Sequence, residues 1–122
     1  MVIEQEKPTV LVVDDEPFIR LYACGLLEEA GYPTIEAGGA HEAMPLLADG
    51  RIGIVITDIE MPGTDGLTFA RRVLATWPDI TVIIASGRRL PSPDELPQQS
   101  AFLSKPFSPE RLLSLVSDAR RN

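Results

Sequence analysis

A chain of 122 residues has room for one domain and one core, and with 44% hydrophobic residues it can fill that core. A formal net charge of −7 argues against nucleic acid as a direct partner, because phosphate binding needs clustered Lys and Arg. There is no run of about 18 apolar residues to span a membrane, Met1 to Lys7 lacks the apolar core of a signal peptide, and a single cysteine excludes an internal disulfide, so a cytoplasmic setting is expected.

Thr9 to Val13 is a continuous, largely β-branched run and reads as a buried strand, ending in three acids, Asp14-Asp15-Glu16. Pro17 suits the first turn of a helix, along which Ile19, Tyr22, Ala23, Leu26, Leu27 and Ala30 recur at helical spacing before a Gly31 cap. Cys24 falls in that pattern as a small core thiol. Pro33 to Ala37 is a short second strand. Ala40 to Ala48 reads as a helix in which Pro45 removes a donor, so a kink or a late start is expected. Its His41 reads as a solvated residue with no part in phosphate relay.

Ile54-Val55-Ile56-Thr57 is an apolar, β-branched run that reads as a buried strand, and it ends on Asp58 before the turn Met61-Pro62-Gly63. Asp65 can cap a third helix marked by Leu67, Ala70, Val73, Leu74 and Trp77, closed by Pro78. Ile80 to Ala85 is a fourth strand, ending in Ser86-Gly87. Between Arg88 and Ser100 the pattern fails: Pro91, Pro93 and Pro97 interrupt helical hydrogen bonding, and the Arg88-Arg89 pair reads first as a wet loop. Ala101 to Ser104 is a fifth strand before Lys105-Pro106-Phe107, and Ser108 caps a last helix with Pro109 at its first position and Leu112, Leu113, Val116 and Ala119 inside. Strands alternating with helices imply an α/β fold with a parallel sheet covered on both faces.

In such sheets ligands sit beyond the carboxyl ends of the strands. Asp14, Asp15, Asp58, Ser86 and Lys105 all fall at that edge. Carboxylates 4 Å apart repel by about 4 kcal/mol per pair at an effective dielectric near 20. Either one stays protonated or a divalent cation binds. All-oxygen ligands at a partly open site favour Mg²⁺, which combines one or two carboxylates with a phosphate. Asp58 is then a candidate nucleophile toward a phosphoryl group, with Lys105 stabilising charge on the transferring oxygens and the Ser86 hydroxyl donating to one of them.

These residues resemble the response-regulator receiver domain of the CheY-like type. Val12-Val13-Asp14-Asp15-Glu16, Asp58 with Met61-Pro62-Gly63 and Asp65-Gly66, Ala85-Ser86-Gly87, and Lys105-Pro106-Phe107 match that family's motifs in order over essentially the whole chain. The resemblance implies one receiver domain over 1–122, its core from about residue 8 to 120. It implies a doubly wound, flavodoxin-like sheet of order 2-1-3-4-5. Asp58 would accept phosphate from the phosphohistidine of a sensor histidine kinase or histidine phosphotransfer protein. Asp14, Asp15, Asp58 and the backbone carbonyl of Glu60 would hold Mg²⁺, or Mn²⁺ in its place. Ser86 and Phe102 would be the switch positions, with simple core filling the bland alternative for Phe102, and Lys105-Pro106 would be a cis peptide. Output would pass by contact with another protein, from a monomer that catalyses only its own phosphoryl transfer and autodephosphorylation.

The segment between Ser86 and Lys105 is short and proline-rich where the family carries a helix, so that helix is expected to be short or missing. Glu60 and Arg88 flank the site, and an ion pair between them across its mouth is expected. A stand-alone regulator, a phosphate sink and a receiver excised from a hybrid kinase fit equally well. A pseudo-receiver that binds partners without phosphorylation is the structural rival. A haloacid-dehalogenase-like phosphatase would need its second Asp two residues after the first, where Glu16 stands, and a flavodoxin-like cofactor carrier would need a Ser/Thr-rich loop in place of these acids.

Overall fold

The structure, a computed structural model, describes residues 7–120, Arg120 by its backbone alone. The chain runs β1 (Thr9–Val13), α1 (Pro17–Glu29), β2 (Thr34–Ala37), α2 (Ala40–Leu47), β3 (Ile52–Asp58), α3 (Gly66–Thr76), β4 (Thr81–Ser86), β5 (Ser100–Ser104) and α4 (Pro109–Arg120). All strand pairings are parallel, in the order β2-β1-β3-β4-β5. Among the described residues no helix is long and apolar enough to cross a membrane.

Side chains alternate across the sheet because successive strand residues point to opposite faces. Leu11, Val13, Val55, Val82 and Ile84 join one core cluster with residues of α2 and α3. Val10, Val12, Ile54, Ile56, Ile83 and Ala85 join the other with residues of α1 and α4. The parity changes within β3, where Ile52 and Ile54 lie in different clusters. The register against β1 steps from Thr9↔Ile52 to Val10↔Ile54, so Gly53 is the extra residue of a bulge, and Pro8 packs where its Cβ would be.

Several helix ends follow their local signals. Asp65 accepts from Leu67 N–H at 2.9 Å and Thr68 N–H at 3.0 Å, and Ser108 Oγ accepts from Arg111 N–H at 3.1 Å. Gly31 takes the left-handed backbone after α1, at φ 92°. Pro45 does not delay α2, which starts at Ala40 and passes through it to Leu47. Two helix faces differ from the spacing read in the sequence. Tyr22 is 44% exposed and lies on the flank of α1, its ring against Phe107 and its hydroxyl donating to the Phe107 carbonyl. Phe69, outside the apolar stripe read in the sequence, is fully buried.

No helix forms between β4 and β5. Leu96 packs from this segment onto the α2/α3-side core, as do Leu74, Trp77 and Phe102 from their own elements. Glu95 ties the segment down: its carboxylate pairs with Arg89 and accepts from Ser92 N–H, and its carbonyl accepts from Arg71 on α3.

Candidate functional site

Register places the chemistry. Val13 pairs with Thr57, Asp58 with Ala85, and Ser86 with Ser104, so the residues ending or following β1, β3, β4 and β5 reach one edge of the sheet together. Asp14, Asp58 and Ser86 are buried there, whereas Asp15 is exposed.

The Asp14 carboxylate is held twice: Oδ1 accepts from Glu16 N–H at 2.9 Å and Oδ2 from Lys105 Nζ at 2.6 Å. Asp58 Oδ1 accepts from Ile59 N–H at 2.9 Å and lies 3.4 Å from Lys105 Nζ. Among the described residues no hydrogen bond reaches Asp58 Oδ2. The backbone carbonyl of Asp58 accepts from the Thr57 hydroxyl at 3.0 Å. Ser86 Oγ accepts from Arg89 N–H at 3.4 Å, and Lys105 N–H donates to the Ser86 carbonyl at 3.0 Å. The Lys105–Pro106 peptide is cis. Gly87 leaves room for the lysine stem, since a Cβ there would come within 3.1 Å of Lys105 Cβ.

A pocket of about 280 Å³ opens over these groups, lined by Asp15, Glu16, Ile19, Asp58, Glu60, Ser86, Gly87, Arg88 and Lys105. Phe102 stands apart from it. It pairs with Ile84, two residues short of Ser86, and packs on the core. His41 is exposed on α2. Glu60 and Arg88 both border the pocket but do not pair; the arginine that finds an acid is the next one, Arg89, with Glu95. All four side chains are at the surface, where a pair gains only about 0–1 kcal/mol, so the reach set by the folded loop decides which one forms. A larger cleft, about 560 Å³, lies between the start of β4, the start of β5 and α4, away from this edge; the carboxylates rather than size locate the site.

Carboxylate oxygens of Asp14, Asp15 and Asp58 lie within 4.8 Å of one another. Three hard oxygen donors with an open side fit Mg²⁺ or a similar divalent cation. Burial pushes the Asp58 carboxyl above the usual aspartate range; Lys105 pulls it back and Asp14 pushes it up again. An acid whose folded pKa is raised contributes stability that is fully present below its unfolded pKa and is lost as pH rises through the folded one. At neutral pH Asp58 therefore costs stability. In EDTA at pH 7, Asp58→Asn should melt a few degrees above wild type, the gap closing below about pH 4 where Asp58 is protonated in both states. Lys105 keeps Asp14 as its partner in that variant. A melt at or below wild type at pH 7 would refute this account.

The sequence did not single out Thr57, Ile19 or Arg20 as site residues, and it read Asp65-Gly66 as a helix cap, a turn and part of the family's motif, with no packing role for Gly66. Gly66 is in fact packed against the Asp58 carbonyl.

A family model for the response regulator receiver domain matches residues 10–117. The chain is 38% identical over 117 residues to the C4-dicarboxylate transport transcriptional regulatory protein DctD of Rhizobium meliloti (strain 1021), covering 93% of this chain and 25% of that protein. It is 35% identical over 119 residues to the sensor kinase CckA of Brucella abortus (strain 2308), covering 90% of this chain and 12% of that one. It thus spans a quarter or less of either relative. The signal receiver domain of an HD domain-containing protein from Pseudomonas fluorescens Pf-5 superposes with a TM-score of 0.84 at 27% identity, covering 94% of this chain and 95% of that one. The chemotaxis protein CheY4 of Vibrio cholerae superposes with a TM-score of 0.82 at 26% identity, covering 92% and 98%. Sequence and fold agree over nearly the whole length, and the chain belongs to the response regulator receiver domain family.

Proposed function

We propose that this chain is a phosphoacceptor: Asp58 takes a phosphoryl group from a phosphohistidine on a sensor histidine kinase or histidine phosphotransfer protein, and the phosphorylated state is read by another protein. The observation that carries this is the placement of one buried carboxylate, with an oxygen that accepts no hydrogen bond, between two acids and a lysine at the carboxyl edge of the sheet.

In the step itself an Asp58 oxygen attacks phosphorus, the P–N bond breaks, and its electron pair returns to the imidazole. A carboxylate needs no general base for this. Asp14, Asp15, Asp58 and the Glu60 backbone carbonyl would hold Mg²⁺ (or Mn²⁺), which supplies charge neutralisation on the phosphoryl oxygens. Lys105, already poised between Asp14 and Asp58, offsets the same charge. Ser86 Oγ accepts from Arg89 and still has its own proton to donate to a phosphoryl oxygen. Drawing Ser86 inward loosens its hold on the Arg89 segment, and through the end of β4 reaches Phe102 on the neighbouring strand.

The donor has a surface to sit on. Phe18 and Leu21 are 81% and 61% exposed on α1, on the same helix as Ile19, which lines the pocket. Large apolar side chains exposed together mark a contact surface.

The test is incubation with Mg²⁺ and a small acyl phosphate, followed by intact mass. Wild type should gain one phosphate and Asp58→Ala none; a wild type that never gains mass would leave the chain a pseudo-receiver. Phe18→Ser should slow transfer from a phosphorylated histidine phosphotransfer domain by roughly tenfold, as for loss of one aromatic anchor, with transfer from the acyl phosphate unchanged.

A further inference from the structure

We propose that Arg20 is a positioning residue for the divalent-cation site, acting through Asp15. The inference rests on the metal-binding reading of Asp14, Asp15 and Asp58 given above. Asp15 is the weakly held member of that trio. It is exposed, and among the described residues no hydrogen bond or ion pair reaches its carboxylate. Asp14 and Asp58, by contrast, are each fixed by a backbone N–H and by Lys105. What fixes Asp15 is its backbone, and the peptide that leads into it carries the Asp14 carbonyl.

Arg20 holds that carbonyl. Its Nη1 donates to Asp14 O at 2.6 Å, while its Nε donates to Glu36 Oε1 on β2 at 3.1 Å. The Arg20 side chain is only 20% exposed. Asp14 N–H donates to the Ala37 carbonyl at 3.1 Å, so the residue is tied to β2 on one side of its α-carbon and to Arg20 on the other. The planar fork of the guanidinium spans two acceptors at fixed geometry, which an ammonium cannot do. With both ends of Asp14 held, the plane of the Asp14–Asp15 peptide is set, and with it the direction in which the Asp15 carboxylate leaves the chain. This is how outer groups orient the ligands of a metal, and their loss costs about 10–100-fold in affinity.

The sign of the effect separates positioning from charge. Arg20 is a cation near a cation site, so its removal should tighten Mg²⁺ binding if its field were what mattered. Positioning gives the opposite result. Mg²⁺ is titrated into ¹⁵N-labelled protein, following the amide shifts of the edge residues, and the melting temperature in EDTA is recorded alongside. Arg20→Ala should weaken Mg²⁺ binding by about tenfold. In an Asp15→Asn background the same substitution should change affinity less than about twofold, because coupled residues fail to add. Arg20→Met, which keeps the aliphatic stem, serves the same titration if the alanine variant does not fold. Unchanged or tighter binding in Arg20→Ala, or a tenfold loss that persists without Asp15, would overturn the inference while leaving the cation site intact. A wild type whose edge amides do not respond to Mg²⁺ overturns the site reading and this inference together.

Discussion

Replacing Gly66 with alanine should remove about 3 kcal/mol of stability, the upper end of the range for overpacking a closed core. A Cβ at this position would sit 1.8 Å from the Asp58 carbonyl oxygen, 2.7 Å from its carbon and 2.8 Å from Ile59 Cα. All three are backbone atoms, so no side chain can swing aside. The contact is close because Gly66 N–H donates to the Ile59 carbonyl at 2.8 Å, joining the start of α3 to the end of β3. Either α3 withdraws, opening the cluster around Leu67 and Phe69, or the tip of β3 moves and carries Asp58 out of line with Asp14 and Lys105. Urea unfolding should show a lower midpoint at unchanged slope, and the surviving folded protein should take up phosphate from an acyl phosphate more slowly. Gly25→Ala is the control. It lies mid-helix on α1 with nothing within 4 Å of its added Cβ, so it should stabilise by about 0.5–1 kcal/mol. A Gly66→Ala midpoint within error of wild type would mean that the strand–helix junction is softer than its geometry implies.

That junction also shows what sequence reading captures and what it leaves out. The apolar run 54–57 ending on Asp58 fixed both a buried strand and its chemical tip, because the signal is local: a period, a break and one polar residue. The Asp65 cap, the Pro109 helix start and the breakdown of pattern from Arg88 to Ser100 are local in the same way. The convergence of Asp14, Asp58, Ser86 and Lys105 followed from topology, since parallel strands deliver all their carboxyl ends to one edge. What escaped were features decided between elements. Phe69 is buried because the start of α3 is wedged into the sheet edge, where more than one helix face finds cover. Leu96 plugs the core from a segment with no periodicity to betray it. The choice of Arg89 with Glu95, rather than Arg88 with Glu60, depends on which exposed side chains a folded loop brings within reach, and nothing in the spacing encodes that. Arg20 was passed over for a related reason: an arginine one turn into a helix looks solvated until β2 supplies Glu36 beside it.

Lys105→Met should be the other large effect, and one that depends on conditions. Lys105 is 15% exposed and is the cation in contact with the acidic edge, 2.6 Å from Asp14 Oδ2 and 3.4 Å from Asp58 Oδ1. Methionine keeps the stem against Gly87 and removes only the charge, so packing loss does not confuse the result. Removing one partner of a buried pair leaves the other charge uncompensated, at a cost of about 3 kcal/mol. In EDTA at pH 7 the variant should therefore melt well below wild type. Lowering the pH should narrow the gap. Without Lys105, the attraction that holds the Asp58 carboxyl down is gone and its pKa rises further, so it protonates early in the descent and relieves the repulsion from Asp14. Mg²⁺ should narrow the gap as well. A divalent cation would supply positive charge where the ammonium no longer does, so the variant should bind it more tightly than wild type and gain more stability from it at equal concentration. Acceptance of phosphate should nevertheless fall, because the ammonium proposed to face the transferred oxygens is gone. A Lys105→Met protein that melts with wild type in EDTA at neutral pH, or draws no extra stability from Mg²⁺, would show that Asp14 and Asp58 do not need a shared counter-charge.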